Sequence, residues 1–266
     1  MTNYAHPRCY ANSLQDCSSK ISGEHIISNN ILELFEQNKS IKVTGLPFIE
    51  KEAFNLLSRK SLVSNILCTK HNHDISAYDA EAGKLFRSII NFDNDFYQAN
   101  PTNEHIFLNG GFIEKWMLKI VCGLIAAGHI ASGKIRTSVQ LNDIYINLLF
   151  TDGVWPPHWG LYFKIPENSA IHKYNCAGVR PMTAGNEIKA MEYLINNFKF
   201  FLILGHPDQT DHWGIHRLNK LIFTSGTVSK TIEFRWDDPK HNQVVKLTRA
   251  GTVTGPPDEW QDWLKK

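Results

Sequence analysis

With 266 residues, 42% of them apolar and 20% charged, the chain is long enough for a full core, and its composition excludes disordered and collagen-like classes. The formal net charge is +2; residues 1–100 carry 10 Lys/Arg against 11 Asp/Glu and the remainder 18 against 15, so neither part captures nucleic acid by charge alone. The five cysteines are irregularly spaced and do not form a secreted disulfide framework. The first thirty residues lack an apolar h-region, and the apolar stretch from Trp116 to Ala127 is short and interrupted by Lys119, so the expectation is a cytoplasmic protein with no membrane span.

In chain order, residues 9–28 have the turn residues of a knuckle and hairpin, with Ser18, Ser19 and Gly23 before the β-like pair Ile26-Ile27. Asn29 or Asn30 is placed to cap a short helix through Phe35, and Ile41 to Leu46 has the composition of a strand. The spacing of Phe54, Leu57 and Leu62 predicts one helix from Glu50 to Leu67. A second begins near Ser76 or Asp79 and runs through Ile90, and Asn91 to Asn103 is a polar connection. A strongly apolar helix follows, from Phe112 to Ile125, ended by Gly128; Cys122 is expected to be a core thiol on it, and Lys115 and Lys119, four apart, a solvated face.

From about residue 135 the chain turns β-rich. Strands are expected at Val139–Leu141, Ile144–Phe150, Leu161–Ile165, Phe200–Leu204, Lys220–Phe223, Thr231–Trp236 and Gln243–Leu247, with one helix at Ala184–Phe198. The fold class is α+β: an N-terminal metal-stapled module (1–95), a linking helical segment (96–135) and a β-rich C-terminal region (136–266).

Chemistry concentrates in the first part. Cys9, Cys17, Cys68 and His71 make a Cys3His set, and thiolates with an imidazole suit tetrahedral zinc. Between the ligand pairs lies Glu24-His25, and Asn72 follows the last ligand directly. That order resembles the HNH (ββα-metal) endonucleases over roughly residues 9–90: Ser22 to Ser28 matches the family's acidic-His-Ile stretch, and Leu67 to Asn72 its Leu-Cys-x-x-Cys-(His/Asn) stretch with His71 for the last Cys. The resemblance implies a structural Zn²⁺ and a catalytic Mg²⁺ or Mn²⁺ held by Glu24 and Asn72. His25 would be the general base for phosphodiester hydrolysis, on nucleic acid, DNA by family habit, as in restricting foreign DNA. The chain departs from the pattern in its Cys-x7-Cys spacing, in offering only Asn65 for the middle Asn, and in the long interval from His25 to Cys68.

Plainer roles compete at each position. His25 can be structural beside a zinc site, Asn72 can cap a helix, and Asp79 is better placed to cap than to orient His25. On a strand Glu24 and His25 point to opposite faces unless a twist or bulge intervenes. Elsewhere His206, Asp208, Asp211, His212 and His216 are expected to form a polar loop; the alternative is a metal pair of His212 and His216, four apart, and a hydrolase acting through that loop is a third reading. Trp155-Pro156-Pro157-His158-Trp159 is expected to pack a sheet edge, with stacking on bases or a ligand ring as the alternative. Basic residues between Trp213 and Ala250 keep a sheet's outer face soluble, or alternatively hold phosphates. A zinc-stabilised binding module without hydrolytic activity, recognising nucleic acid, protein or a small ligand through the β-rich half, is the alternative to the nuclease.

Overall fold

A computed structural model describes residues 3–43, 55–132, 135–136, 139–164, 177–195, 198–205, 214–237, 239 and 241–248. The chain is mixed α+β with a β-rich C-terminal region. Strands β1 (Ile21–His25) and β4 (Val63–Cys68) form an antiparallel ribbon, followed by the short helix α2 (Thr69–Asp74) and the long helix α3 (Ser76–Asp95). Helix α1 (Asn29–Phe35) and a small pair, β2 (Ile41–Val43) with β3 (Asn55–Leu57), fill the interval inside the ribbon. Ser28, not Asn29 or Asn30, stands at the N-cap of α1.

Register explains the ribbon's shape. Ser22 pairs with Leu67 and Glu24 with Ser64, so β4 carries one residue more than β1 at this point. The bulge therefore lies in β4, opposite Gly23, whose missing side chain matters because a Cβ there would stand 2.7 Å from Val63 Cγ1. The loosened stretch of β4 is used elsewhere: Ile66 accepts a hydrogen bond from the Tyr10 amide at 2.9 Å, which fastens the N-terminal segment to the ribbon.

Two larger sheets and a short antiparallel pair, β6 (Ala131–Ser132) with β7 (Ile135–Arg136), build the rest of the described residues. A five-stranded antiparallel sheet has the order β12-β8-β11-β10-β9, from Ile215–His216, Gly160–Lys164, Phe198–Ile203, Glu187–Ile195 and Ala177–Ala184. A four-stranded sheet has the order β15-β13-β14-β5, from Gln243–Thr248, Leu218–Ser225, Val228–Arg235 and Glu104–Asn109. Its central pair is antiparallel and both outer pairs are parallel. Helix α4 (Gly110–Ala126) lies against both sheets and against α3 and α5 (Asp143–Phe150). One apolar cluster runs from Cys9 to Leu247 with Trp116, Met117, Phe86, Phe223 and Phe234 deep inside it.

Several expected elements are corrected. The helix expected over Glu50–Leu67 is replaced, over its described part, by β3, a 3-10 turn (Arg59–Leu62) and β4; pairing with the distant β1 overrides the local spacing. The strand expected at Ile144–Phe150 is α5, started by Asn142, whose side chain accepts from the Ile144 amide at 3.0 Å. Val139–Leu141 is not a strand. The helix expected at Ala184–Phe198 is the turn and second strand of a β9–β10 hairpin; Gly185 has φ +60°, which opens the turn. Helix α3 runs on into the expected connection, and strand β5 follows it. Parts of the expected strand beyond Val43, and the loop from His206 to Trp213, lie outside the described residues; His216 is in β12. No described helix is long and apolar enough to cross a membrane.

Candidate metal centre and the buried cation beside it

The N-terminal segment brings Cys9 and Cys17 to the root of the ribbon. Cys17 is held there by its amide bond to the Tyr4 carbonyl (2.9 Å), and Cys9 lies three residues before a 3-10 turn (Asn12–Leu14). Cys68 closes β4 and is also the N-cap position of α2, so His71 falls in the first turn, one helical step away. All four side chains are buried and their ligand atoms lie within 4.8 Å of one another. His71 Nδ1 is 3.4, 3.8 and 3.3 Å from the sulfurs of Cys9, Cys17 and Cys68. A tetrahedron with Zn–S of about 2.3 Å and Zn–N of about 2.05 Å has S···N edges of roughly 3.5 Å. The group can hold a metal ion such as zinc.

Burial pushes the Cys9 thiol up to about 12 and raises Cys17 as well. Burial also opposes ionisation of Cys68, yet the main-chain amide of His71 and contacts with Ser18 and Cys9 hold its thiol below the ordinary value. Burial lowers the His71 pKa and favours the neutral ring; Nδ1 faces the sulfurs, and Nε2, also buried, lies on the other side. There it lies 2.9 Å from Asp16 Oδ1, off the line of a straight hydrogen bond. Asp16 is in turn held by Lys70 at 2.9 Å, and although partial burial works against it, Lys70 and His71 keep its carboxyl ionised below the usual range. A carboxylate on the outer nitrogen of a ligating imidazole fixes ring and tautomer. Sequence reasoning missed Asp16, whose position next to Cys17 was the available signal.

The other three expected residues are placed differently. Glu24, only 3% exposed, forms an ion pair with Lys119 of α4. Burial raises its carboxyl to about 7, and the ammonium opposes that rise without cancelling it. Lys119, whose side chain is 2% exposed, also reaches Asp79 Oδ1 at 2.7 Å. Asp79 accepts a further hydrogen bond from Ser28 Oγ, and Ser28 accepts one from Trp116 Nε1 at 2.8 Å. The expectation of a solvated Lys119 is thus overturned, and Asp79 binds this cation instead of capping α3, whose N-cap position is Ile75. A buried ammonium needs such partners, and two carboxylates from β1 and α3 supply them.

His25 is half-buried, hydrogen-bonded to the main chain of Arg59, and its Nε2 is enclosed without a partner among the described residues. Burial lowers its pKa, which leaves the ring neutral near pH 7. Asn72 lies inside α2 and donates its amide N–H to Ser22 Oγ at 2.7 Å, tying helix to ribbon; the N-cap position belongs to Cys68. Among the described residues, the partners of Glu24, His25 and Asn72 are Lys119, the Arg59 main chain and Ser22, and no hydrogen bond or ion pair joins the three to one another. Trp155 and Trp159 pack against the apolar core, the Trp159 ring 6.0 Å from that of Tyr145 on α5, where packing of a sheet edge was expected. Compared with family models, with curated proteins and with solved structures, the chain matches none.

Two outcomes test this geometry. Asp16→Asn is expected to weaken zinc about 10- to 100-fold, measured by competition with a chromophoric chelator, while folding with saturating zinc stays intact. Lys119→Met leaves two carboxylates without their cation and is expected to cost about 3–5 kcal/mol in denaturant unfolding, with part recovered by adding Glu24→Gln.

Proposed function

We propose that the N-terminal region is an HNH-like module, stapled by zinc on Cys9, Cys17, Cys68 and His71, and that the protein is a metal-dependent endonuclease. The observation that carries the reading is the order of parts: a Cys pair, a strand ending in Glu24-His25, a second strand ending in Cys68, and a helix that presents His71 and Asn72. A ribbon and helix of this kind present a base and oxygen ligands on a small rigid frame, which hydrolysis of a phosphodiester needs.

In this reading His25 takes the proton from the attacking water. Its lowered pKa supports the role, since a base must be neutral to act; Nε2 has no hydrogen-bond partner among the described residues but is enclosed, so the role requires the site to open to water. Glu24 and Asn72 are the residues that would hold Mg²⁺ or Mn²⁺, which supplies Lewis-acid stabilisation of charge on the phosphate. Asn72 already binds Ser22 of the same ribbon, so its carbonyl oxygen remains available as an acceptor. The substrate class is nucleic acid, with DNA the first candidate.

One observation favours a second reading. The Lys119 ammonium occupies the carboxylate of Glu24, so a divalent ion has to displace it. A module in which that ion pair is permanent is a zinc-stabilised binding domain without hydrolytic activity. Purified protein incubated with plasmid DNA or RNA, with Mg²⁺, Mn²⁺ or neither, separates the two. The nuclease reading predicts metal-dependent cutting that His25→Ala reduces about 100-fold or more with unchanged folding. Absence of cutting with zinc bound would leave the binding module.

A further inference from the structure

The four-stranded sheet turns one face to the core and the other to solvent. Alternation places His105 and Phe107 of β5, Glu233 and Arg235 of β14, Lys220 of β13 and Lys246 of β15 on the outer face. Phe107 is 47% exposed, which is unusual for a phenylalanine in the middle of a strand. The His105 ring stacks on it with centroids 4.5 Å apart and planes at 27°, and the Arg235 guanidinium lies 4.3 Å from its centroid.

Charge on this face is one-sided. Glu233 is the single carboxylate among the outward residues of the four strands, and Lys220 (2.7 Å) and His105 (3.1 Å) already hold it. Among the described residues no carboxylate pairs with Arg235 or Lys246. Lys230, on the same strand as Arg235, points inward and is buried against Asp95 at 2.6 Å, so it adds nothing to this face.

We propose that this face binds single-stranded nucleic acid, with a base stacked on the outer side of the His105 ring, which Phe107 backs, and phosphates met by Arg235 and Lys246. Aromatic rings take any base because every base has a π-face, and cations beside them take the backbone. In register, Lys246 lies in line with Ile222, Thr231 and His105, three strand spacings away. That is about 14 Å, so a strand crossing the sheet meets the rings at one edge and a cation at the other. Duplex bases are stacked on one another and cannot offer a face to these rings. The site stands apart from the proposed hydrolytic one, so binding and cutting can fail separately.

The test is fluorescence anisotropy of the full chain without added divalent metal. The probes are labelled mixed-sequence DNA and RNA single strands of about 20 nucleotides and the matching duplex, over about 50–200 mM salt. Single strands are expected to bind more tightly than duplex. Phe107→Ala should weaken them about tenfold, and Arg235→Gln with Lys246→Gln should also flatten the salt dependence by about 1.4 in log–log slope. Lys189→Gln on β10 of the five-stranded sheet, where Lys189 pairs with Glu187, should leave binding unchanged. No binding of either strand, duplex preference, or indifference to Phe107→Ala in a protein with native circular dichroism would overturn the proposal. So would self-association in sedimentation that Phe107→Ala abolishes, since the face would then join copies of the chain.

Discussion

One buried charge among several, that of Lys119, organises the centre of this molecule. Helix α4 is apolar on almost every side because it is covered by α3, α5 and both sheets, yet it carries Lys119 in its middle. An ammonium cannot stay there uncompensated. Glu24 must therefore come from β1 and Asp79 from α3, and Ser28 and Trp116 complete the polar cluster. Meeting that requirement fixes the ribbon against the helices and sets which way Glu24 points.

The ribbon is held at its other end by chemistry of a different kind. Three thiols and an imidazole converge where the N-terminal segment, the end of β4 and the start of α2 meet. The N-terminal segment has little core of its own, so a metal ion is the economical staple for it. Between these two anchors the bulge in β4 absorbs the mismatch in register and frees Ile66 to bind Tyr10. His25 sits between the anchors, on the strand that both of them restrain.

What the sequence made legible follows from how local each signal is. The Cys3His set was readable because only a few residue types ligate a soft cation, and the structure brings all four together. Strands β8, β11, β13, β14 and β15 were readable from alternation and turn residues. Lys119 was misread because its spacing from Lys115 suggests an outer face, and nothing near it announces that Glu24 and Asp79 converge there. The ribbon partner of β1 was missed for the same reason, since β4 is defined by pairing across a long interval. Runs such as Ile144–Phe150 and Glu187–Ile195 are buried along most of their length, and periodicity does not separate buried helix from buried strand. The cap at Asn142 and the turn at Gly185 decide them, and both were present in the sequence.

Everything said of the ribbon's root rests on Cys9, Cys17, Cys68 and His71 acting as one metal site. X-ray absorption at the zinc edge of the purified protein reads that site's ligands. The expected result is one zinc per chain with three sulfurs near about 2.3 Å and one nitrogen near about 2.0–2.1 Å, the distances of a Cys3His site. A protein that folds without bound metal, or zinc surrounded by oxygen and nitrogen alone, would rule the site out.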